Sequence, residues 1–321
     1  MDDPTFPLIE QAVEVLRGVA NVTPVISNRT LDGLAQARVF FKCENFQRAG
    51  AFKFRGAYYA VARHMAVNPA RMFATISSGN HAQGIALACR LLGASAHVVM
   101  PNPYSSTKHQ AAVDYGATVH VAEDRVCAEV MLGKIVEDTG ATIIHPFNDS
   151  LVIAGQGTIM VELLEQVSEL DVVLAPVGGG GLLSGLCVAA QACRPRIKIF
   201  ACEPAGALDA VESVRQNRIV PMTFPNTIAD GLRTSLGERT LPILRQHLAG
   251  FFIVEEREIV EAMRFAYEQL EMVIEPSSAV AVAPLLREES QLRGKRVAVV
   301  LTGGNVELSS LWRDLDVSSG R

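Results

Sequence analysis

Short, nearly continuous apolar runs alternate along this chain with longer segments of helical period. The runs are rich in β-branched residues, which is typical of strands, and few polar residues interrupt them. Because strands that are buried on both faces show this pattern, it predicts a mostly parallel sheet covered by helices. The predicted strands are VFFKCE (39–44), MFATIS (72–77), AHVVM (96–100), ATVHVA (117–122), TIIHP (142–146), VVLAPV (172–177), IKIFACE (197–203) and RVAVVLT (296–302).

Helical segments lie between the predicted strands. Three of them are HAQGIALACRLLG, RVCAEVMLGKIVEDTG and EREIVEAMRFAYEQLEM. Gly93 and Gly116 each end a predicted helix just before the next strand, as glycine often does in such connections. Residues 71–148 hold four strand–helix units, and we predict that they form a small α/β domain. It is inserted between two parts of a larger domain, 1–70 and 149–321.

The composition argues against several classes of protein. The 321 residues carry a net charge of −5 with both signs mixed, so no basic surface points to nucleic acid. The six cysteines have no CxxC pair and no zinc-like spacing, which is typical of thiols in a reducing compartment. The start MDDPTFPLIE does not resemble a signal peptide, and Pro176 and Gly178 interrupt the uncharged segment 172–193. We expect a cytoplasmic protein without a membrane span.

A glycine-rich turn follows the strand at 172–177. Consecutive glycines before a helix let several backbone N–H groups point at one spot beside the helix N-terminus, which suits an anion such as phosphate. The turn is not a Walker A loop, because no Gly-Lys-Ser/Thr follows, and it lacks a clean dinucleotide fingerprint. The alternative is a turn that only packs the helix on the strand. The glycines are Gly178, Gly179, Gly180 and Gly181.

Two further strands end in small or polar residues. The turn Ser77-Ser78-Gly79-Asn80-His81 offers hydroxyls, an amide and helix N-terminal N–H groups, which suits a carboxylate or an aromatic hydroxyl. The alternative is a plain helix cap made by Ser78 or Asn80. A Gly-Gly pair at 303–304 ends the last strand. Because open α/β sheets bind ligands at the carboxyl ends of their strands, we expect the three turns to meet.

Lys53 lies between two phenylalanines in NFQRAGAFKFRGAYYA, just after a stretch of small residues. Its ammonium either reaches water along its apolar stem or is desolvated, with a pKa low enough for a nucleophile or base. A phosphate site, a polar turn and a buried amine together indicate pyridoxal 5′-phosphate, held as a Schiff base on Lys53. A nicotinamide-dependent Rossmann enzyme and a non-catalytic phosphate-binding protein remain alternatives in which Lys53 is incidental.

A set of motifs along nearly the whole chain resembles the fold-type II pyridoxal-phosphate enzymes, specifically the serine/threonine dehydratase and serine racemase family. The resemblance implies an α/β fold similar to tryptophan synthase β. A large, open, mostly parallel sheet domain carries a smaller α/β domain that closes over the active site. The motifs are NFQRAGAFKFRGA, SSGNHAQGIA, HPFNDSLVIAGQGT, VGGGGLLSG, CEPAGALDA, TIADGLRTSLG, VIEPSSAVAVA and LTGGNVEL.

The resemblance also implies roles for single residues. Lys53 is the implied cofactor-bearing lysine and base, with Phe52 beside the pyridine ring. Asn80 is implied to meet the ring hydroxyl, and Thr302 stands where Ser or Cys is more usual, facing the ring nitrogen. Ser78 is the implied base on the opposite face. The implied phosphate site is Gly178, Gly179, Gly180, Gly181 and Leu182, and the implied substrate site is Ser77, Ser78, Gly79, Asn80 and His81.

CEPAGALDA is similar to a divalent-cation site of the racemase branch. This similarity implies the carboxylates of Glu203 and Asp209 and the carbonyl of Ala207 as ligands. Such oxygen ligands suit Mg²⁺, with Ca²⁺ or Mn²⁺ as alternatives. Taken alone, the two acids would be ordinary surface residues. The family further implies a homodimer and, in the racemase branch, a nucleotide effector at the subunit interface.

The implied activity is a dehydratase that converts a β-hydroxy amino acid to a 2-oxo acid and ammonia. L-Serine and L-threonine are the expected type of substrate, with 3-hydroxyaspartate and phenylserine as further possibilities. A serine (or aspartate/hydroxyaspartate) racemase, with Lys53 and Ser78 as bases on opposite faces, is the alternative. Candidates for binding a second substrate carboxylate are Arg48, Arg233, His81 and His145.

Overall fold

Two separate sheets organise the chain. The structure, a computed structural model, describes residues 3–67, 71–287 and 289–307. The predicted domain ends at 1, 70 and 321 and the last residue of the LTGGNVEL motif, at 308, lie outside these ranges. The strands are β1 (Val25–Ile26), β2 (Arg38–Cys43), β3 (Met72–Ile76), β4 (Ser95–Pro101), β5 (Thr118–Ala122), β6 (Thr142–Ile143), β7 (Val172–Pro176), β8 (Lys198–Pro204), β9 (Leu248–Val254) and β10 (Arg296–Leu301).

Helices connect and cover the strands. Short 3₁₀ turns occupy Glu44–Phe46, Arg48–Gly50, Asp230–Leu232 and Ala283–Leu285. No helix within the described ranges is both long and apolar enough to cross a membrane. The helices are α1 (Phe6–Leu16), α2 (Arg29–Ala35), α3 (Lys53–Val67), α4 (Asn80–Leu92), α5 (Ser106–Asp114), α6 (Arg125–Thr139), α7 (Ser150–Gln166), α8 (Gly181–Cys193), α9 (Asp209–Gln216), α10 (Thr240–His247), α11 (Glu256–Leu270) and α12 (Pro276–Ala279).

The larger sheet has six strands in the order β1-β2-β10-β7-β8-β9, and only β1 runs antiparallel to its neighbour. The smaller sheet has the order β5-β4-β3-β6 and is wholly parallel. The prediction of a mostly parallel architecture is confirmed, and each predicted strand corresponds to an observed one. The prediction omitted β1, which has two residues, and the edge strand β9, whose Gly250 interrupts the apolar run.

Alternate residues of the central strands enter different cores. Val172 and Leu174 of β7 belong to the core on one face of the larger sheet, and Val173 and Ala175 belong to the core on the other. Successive side chains of a strand point to opposite faces, so burial on both sides requires an apolar residue at every position. This explains the continuous apolar runs in the sequence. The smaller sheet is covered in the same way on both faces.

The two glycines predicted to end helices lie where two helices end. Gly93 ends α4 with a backbone φ of +67°, and Gly116 follows α5 with a φ of +93°. This left-handed conformation costs glycine little because it has no Cβ. The smaller sheet and α4–α6 lie between residues 72 and 143. The division into domains at 71 and 148 stays a prediction.

Helices α3, α7 and α8 pack with almost no space between their backbones. A Cβ added at Gly155 of α7 would lie 2.5 Å from the Cα of Gly56 in α3. A Cβ added at Gly185 of α8 would lie 2.5 Å from the backbone nitrogen of Gly157. Only glycine allows this approach, and it places the start of α3 beside the end of the larger sheet.

We therefore predict opposite effects for two Gly→Ala substitutions. Gly155→Ala inserts a methyl group against backbone atoms and should lower the free energy of unfolding by about 2 kcal/mol or more. Gly133→Ala in α6 meets no atom within 4 Å and should raise it by about 0.5–1 kcal/mol, because alanine favours a helix. Urea unfolding of both variants measures the difference. Equal stability of Gly155→Ala and the parent would contradict the packing argument.

Candidate active site

One cleft contains two of the predicted turns and Thr302, which directly precedes the third. It lies at the carboxyl ends of β3, β7 and β10 and encloses about 1050 Å³, its mouth included. Every residue of the implied cofactor site and of the Ser77–His81 substrate site lines this cleft, whereas the implied cation ligands Glu203, Ala207 and Asp209 do not. The roles of these residues stay predictions. The predicted residues on the wall are Phe52, Lys53, Ser77, Ser78, Gly79, Asn80, His81, Gly178, Gly179, Gly180, Gly181, Leu182 and Thr302.

Lys53 is the first residue of α3, and its side chain turns into the cleft. The Nζ atom donates a hydrogen bond to the Pro146 carbonyl at 2.8 Å and lies 5.2 Å from the centre of the Phe52 ring. Burial lowers the pKa of Lys53 to about 8, although the Glu275 carboxylate opposes the shift. The positive end of the helix dipole also disfavours an ammonium here. The amine can therefore lose its proton close to neutral pH.

The glycine turn between β7 and α8 has no room for side chains. A Cβ at Gly179 would lie 2.2 Å from the Phe147 ring, and Gly180 has a φ of +83°. Thr240 steadies the turn by donating its hydroxyl hydrogen to the Gly179 carbonyl at 2.8 Å. Ser184 is the first residue of α8 to bond back to the turn, to the Gly180 carbonyl. The N–H groups of 181–183 come before it, which is the arrangement that binds anions at helix N-termini.

The two serine hydroxyls of the turn after β3 make different contacts. Ser77 Oγ accepts hydrogen bonds from the backbone N–H of Gly79 at 3.2 Å and of Ala82 at 3.3 Å. The alternative that Ser78 or Asn80 caps this helix is wrong, because Gly79 occupies the cap position and the side chain that bonds to the first-turn N–H groups is that of Ser77. The Ser78 hydroxyl has no partner within the described residues, so it remains available to a ligand.

Asn80 and Thr302 face the cleft from opposite sheets. The Asn80 amide donates to Glu275 Oε1 at 2.7 Å and accepts from Asn305 at 3.0 Å. Thr302 is only 2% exposed, and its Oγ1 has no hydrogen-bond partner among the described residues. A buried hydroxyl without a partner is costly, and a ligand atom in the cleft would satisfy it.

Two histidines near the cleft are neutral. Burial, and then Lys53, lowers the pKa of His81 well below its usual value. Burial, followed by Arg125 and Lys53, lowers the pKa of His145 to about 4. The His145 Nδ1 accepts hydrogen bonds from the backbone N–H of Asn148 at 2.9 Å and of Phe147 at 3.3 Å. His145 therefore shapes the turn before α7.

Of the four candidates for a second substrate carboxylate, only His81 lines the cleft. Arg233 donates to the Thr227 carbonyl instead, at 3.0 Å through Nε. Sequence reasoning missed Arg125, which begins α6 and does line the cleft. The sequence could have indicated Arg125, because this residue closely follows the carboxyl end of β5, and ligand-binding residues lie at the carboxyl ends of strands in parallel sheets.

Three other charged residues of the cleft were also missed. Lys108 of α5 donates to Asp230 at 2.6 Å, and its Nζ lies 3.5 Å from the Glu275 carboxylate. Opposite charges raise the pKa of Lys108 above its usual value, despite its burial. A lone lysine in a helix resembles a surface residue, so no local signal distinguished it.

The predicted cation ligands lie together at the end of β8. Glu203 accepts hydrogen bonds from the N–H groups of Ala210 at 2.7 Å and Val211 at 2.9 Å, at the start of α9. Burial raises the pKa of Glu203 to about 8 and that of Asp209 to about 7. Asp209 Oδ2 has no partner among the described residues, where no group of three or more His, Cys, Asp or Glu side chains is placed to hold a metal.

Known proteins resemble this chain over nearly its full length. The family description that matches residues 16–303 is "Pyridoxal-phosphate dependent enzyme". The serine racemase of Arabidopsis thaliana is 41% identical over 310 residues, covering 95% of this chain and 94% of that protein. The L-threo-3-hydroxyaspartate ammonia-lyase of Pseudomonas sp. is 43% identical over 303 residues, covering 93% and 94%.

A solved structure shares the architecture. The structure of maize serine racemase superposes with a TM-score of 0.93 at 37% identity and covers 98% of both chains. The predicted fold-type II architecture is confirmed by this match and by the family match. The chain therefore belongs to the pyridoxal-phosphate dependent enzymes.

Proposed function

We propose that this chain is an ammonia-lyase that converts a β-hydroxy amino acid to a 2-oxo acid and ammonia. The observation that carries the proposal is the amine of Lys53. It is held at a pKa of about 8 in a cleft that also contains an anion-binding glycine turn and the free Ser78 hydroxyl. The similarity to a hydroxyaspartate ammonia-lyase and a serine racemase supports this class of reaction.

The cleft residues fit pyridoxal phosphate. The glycine turn leaves N–H groups and no side chains where a phosphate would bind, and the unpartnered Thr302 hydroxyl suits the ring nitrogen. We assign the phosphate to Gly178–Gly181 and Leu182, and the ring to Phe52, Asn80 and Thr302. When bound, the cofactor supplies the electron withdrawal that makes the α-proton of an amino acid acidic.

The residues of the chain then bind the substrate and move its protons. The N-terminus of α4 and the Ser77–His81 turn hold the α-carboxylate, because their N–H groups and the helix dipole favour an anion. Lys53 removes the α-proton, which its pKa near neutrality allows. The β-hydroxyl then leaves as water with the proton that Lys53 took up, and hydrolysis of the released enamine gives the 2-oxo acid and ammonia.

A racemase is the second candidate, and Ser78 is the observation that favours it. Because Ser77, and not Ser78, accepts the N–H groups of this turn, the Ser78 hydroxyl is free to give or take a proton at the substrate Cα. We assign it to the face opposite Lys53. Proton delivery from that face would yield the other enantiomer, so one site supports both elimination and racemisation.

The charges of the cleft favour a substrate with two carboxylates. Its charged side chains are the cations of Lys53, Lys108 and Arg125 and the carboxylates of Asp230 and Glu275. Lys108 forms ion pairs with both of these carboxylates. Arg125 therefore faces the cleft without a carboxylate partner among the residues that line it. Its only ion pair among the described residues is the exposed contact with Glu129 at 3.1 Å. We assign the β-carboxylate of 3-hydroxyaspartate to Arg125.

We also propose a divalent cation, Mg²⁺ or else Ca²⁺ or Mn²⁺, at Glu203, Asp209 and the Ala207 carbonyl. The unpartnered Asp209 oxygen and the close pair of buried carboxylates support an oxygen-ligated cation there. Bound Mg²⁺ should raise the melting temperature of the parent and not that of Asp209→Asn. The same shift in both proteins would place the cation elsewhere.

Three further proposals follow from the resemblance rather than from a contact in the structure. They are a homodimer, a nucleotide effector at its interface, and a cytoplasmic location. All six cysteines are free, which supports a reducing compartment. Sedimentation velocity with and without a nucleoside triphosphate measures the first two.

A substrate panel tests the proposed function, with Arg125→Met as the specificity variant. L-threo-3-Hydroxyaspartate, L-serine, L-threonine and phenylserine are supplied to the holoenzyme while 2-oxo acid is measured. We expect turnover of hydroxyaspartate, and Arg125→Met should raise its KM about 10–100-fold while changing that for serine less than about threefold.

Arg257→Met is the matched control for Arg125→Met. Arg257 makes the same i,i+4 ion pair, with Glu261 at 2.8 Å, but lies outside the cleft, so its loss should leave both KM values unchanged. Absence of 2-oxo acid from every substrate would contradict the lyase. An equal effect of Arg125→Met on serine and hydroxyaspartate would contradict the assignment of Arg125.

Ser78→Ala separates elimination from racemisation. The substitution removes the proposed second base but leaves Lys53, so racemisation of serine should fall at least about 100-fold while elimination of the L-substrate changes little. Chiral chromatography and the 2-oxo acid assay measure the two rates in one reaction. Undiminished racemisation would show that Ser78 is not the second base.

A further inference from the structure

Lys108 is buried between the two sheets. It belongs to α5, which lies between the strands β4 and β5 of the smaller sheet. Its side chain is 5% exposed, which is rare for a lysine. Both of its carboxylate partners belong to the part of the chain that builds the larger sheet. Asp230 begins a 3₁₀ turn, and Glu275 immediately precedes α12.

Glu275 accepts a hydrogen bond from a side chain of the smaller sheet's helices at one oxygen and forms a longer ion pair with another at the second. Oε1 accepts the hydrogen bond from Asn80, at the start of α4, and Oε2 lies 3.5 Å from the Lys108 ammonium. The backbone N–H of Glu275 donates to the Gly303 carbonyl at 3.0 Å, next to Thr302. One carboxylate, at the start of α12, thus contacts two helices that cover the smaller sheet and lines the cleft.

A buried carboxylate needs a cation close by. Glu275 is 3% exposed, and removing one partner of such a pair leaves an uncompensated charge. Burial raises the pKa of Glu275, and Lys108 opposes that rise. Among the side chains of the described residues, the ammonium of Lys108 is the cation in an ion pair with Glu275.

We propose that Lys108 is a positioning residue that ties α5 to Asp230 and Glu275, keeps the cleft closed between the two sheets, and holds Glu275 where it orients Asn80. Two carboxylates already engage its ammonium, so it acts through them and not by contact with the substrate. The proposal concerns the same cleft as the proposed function, and one arm of its test uses no substrate.

Lys108→Met tests the contact, because methionine keeps the length of the apolar stem and removes the charge. Backbone hydrogen exchange in residues 106–114 should become about tenfold faster, since closure loses its ion pair. The KM of the best substrate should rise about tenfold while kcat changes less than about threefold. Lys134→Met, at an exposed lysine of α6, should change neither quantity.

Glu275→Gln provides the rescue. It keeps an oxygen for Asn80 and removes the charge that Lys108 neutralises, so added to Lys108→Met it should return exchange and KM at least halfway towards the parent on a logarithmic scale. Unchanged exchange in Lys108→Met would overturn the proposal. So would a double variant that is no better than Lys108→Met alone, because Lys108 would then not act through Glu275.

Asp230→Asn covers the case in which Lys108→Met does not fold. Asp230 is 39% exposed, and its substitution weakens the same ion pair. A smaller increase of exchange in 106–114 is expected, and no increase would overturn the proposal. Because exchange is measured on the holoenzyme without substrate, this arm decides the role of Lys108 even if the substrate panel shows no turnover.

Discussion

A buried cluster of four charges fixes the helix on which the site depends. Arg55 of α3 donates to both oxygens of Glu44, at 2.7 and 2.8 Å, and to Glu162 of α7 at 3.0 Å. Lys42 of β2 also contacts Glu162. Two cations and two carboxylates balance, and loss of any one would leave the buried cluster with one uncompensated charge. Arg55 lies two residues after Lys53, so this cluster sets the position of the reactive amine.

With α3 held in place, the surroundings of Lys53 determine its chemistry. The amine stands at the positive end of a helix and away from water, and both conditions disfavour its charged form. Glu275 partly restores that form, and Glu275 is itself held by Lys108 and Asn80. The reactivity of Lys53 is therefore coupled to the contact between the two sheets. The glycine turn and Thr302 supply the remaining polar groups of the cleft.

Much of this arrangement could be predicted from local sequence. Doubly buried strands read as continuous apolar runs, and the small residues after β7 and β10 lie at one edge because these strands are parallel members of the same sheet. The turn after β3 belongs to the other sheet, so its meeting with them depends on how the two sheets pack and not on strand direction alone. The sequence did not show partners that are distant along the chain. The pairing of Lys108 with Glu275 spans more than half of the protein, and a lone lysine or arginine in a helix looks like a surface residue. A cap made by Ser78 or Asn80 remained an alternative because neighbouring polar side chains are equivalent until the backbone of the turn is known. Arg233 was misjudged for a similar reason, since its binding to the Thr227 carbonyl depends on the loop.

The central claim is that Lys53 is the amine that bears the cofactor. It is tested most directly by treating the holoenzyme with borohydride, digesting it and locating the reduced pyridoxyl group by peptide mass spectrometry. The account predicts a single modified peptide with the label on Lys53, and no label on the buried amines of Lys42 and Lys108. A label on another lysine, or a protein that takes up no pyridoxal phosphate, would contradict it.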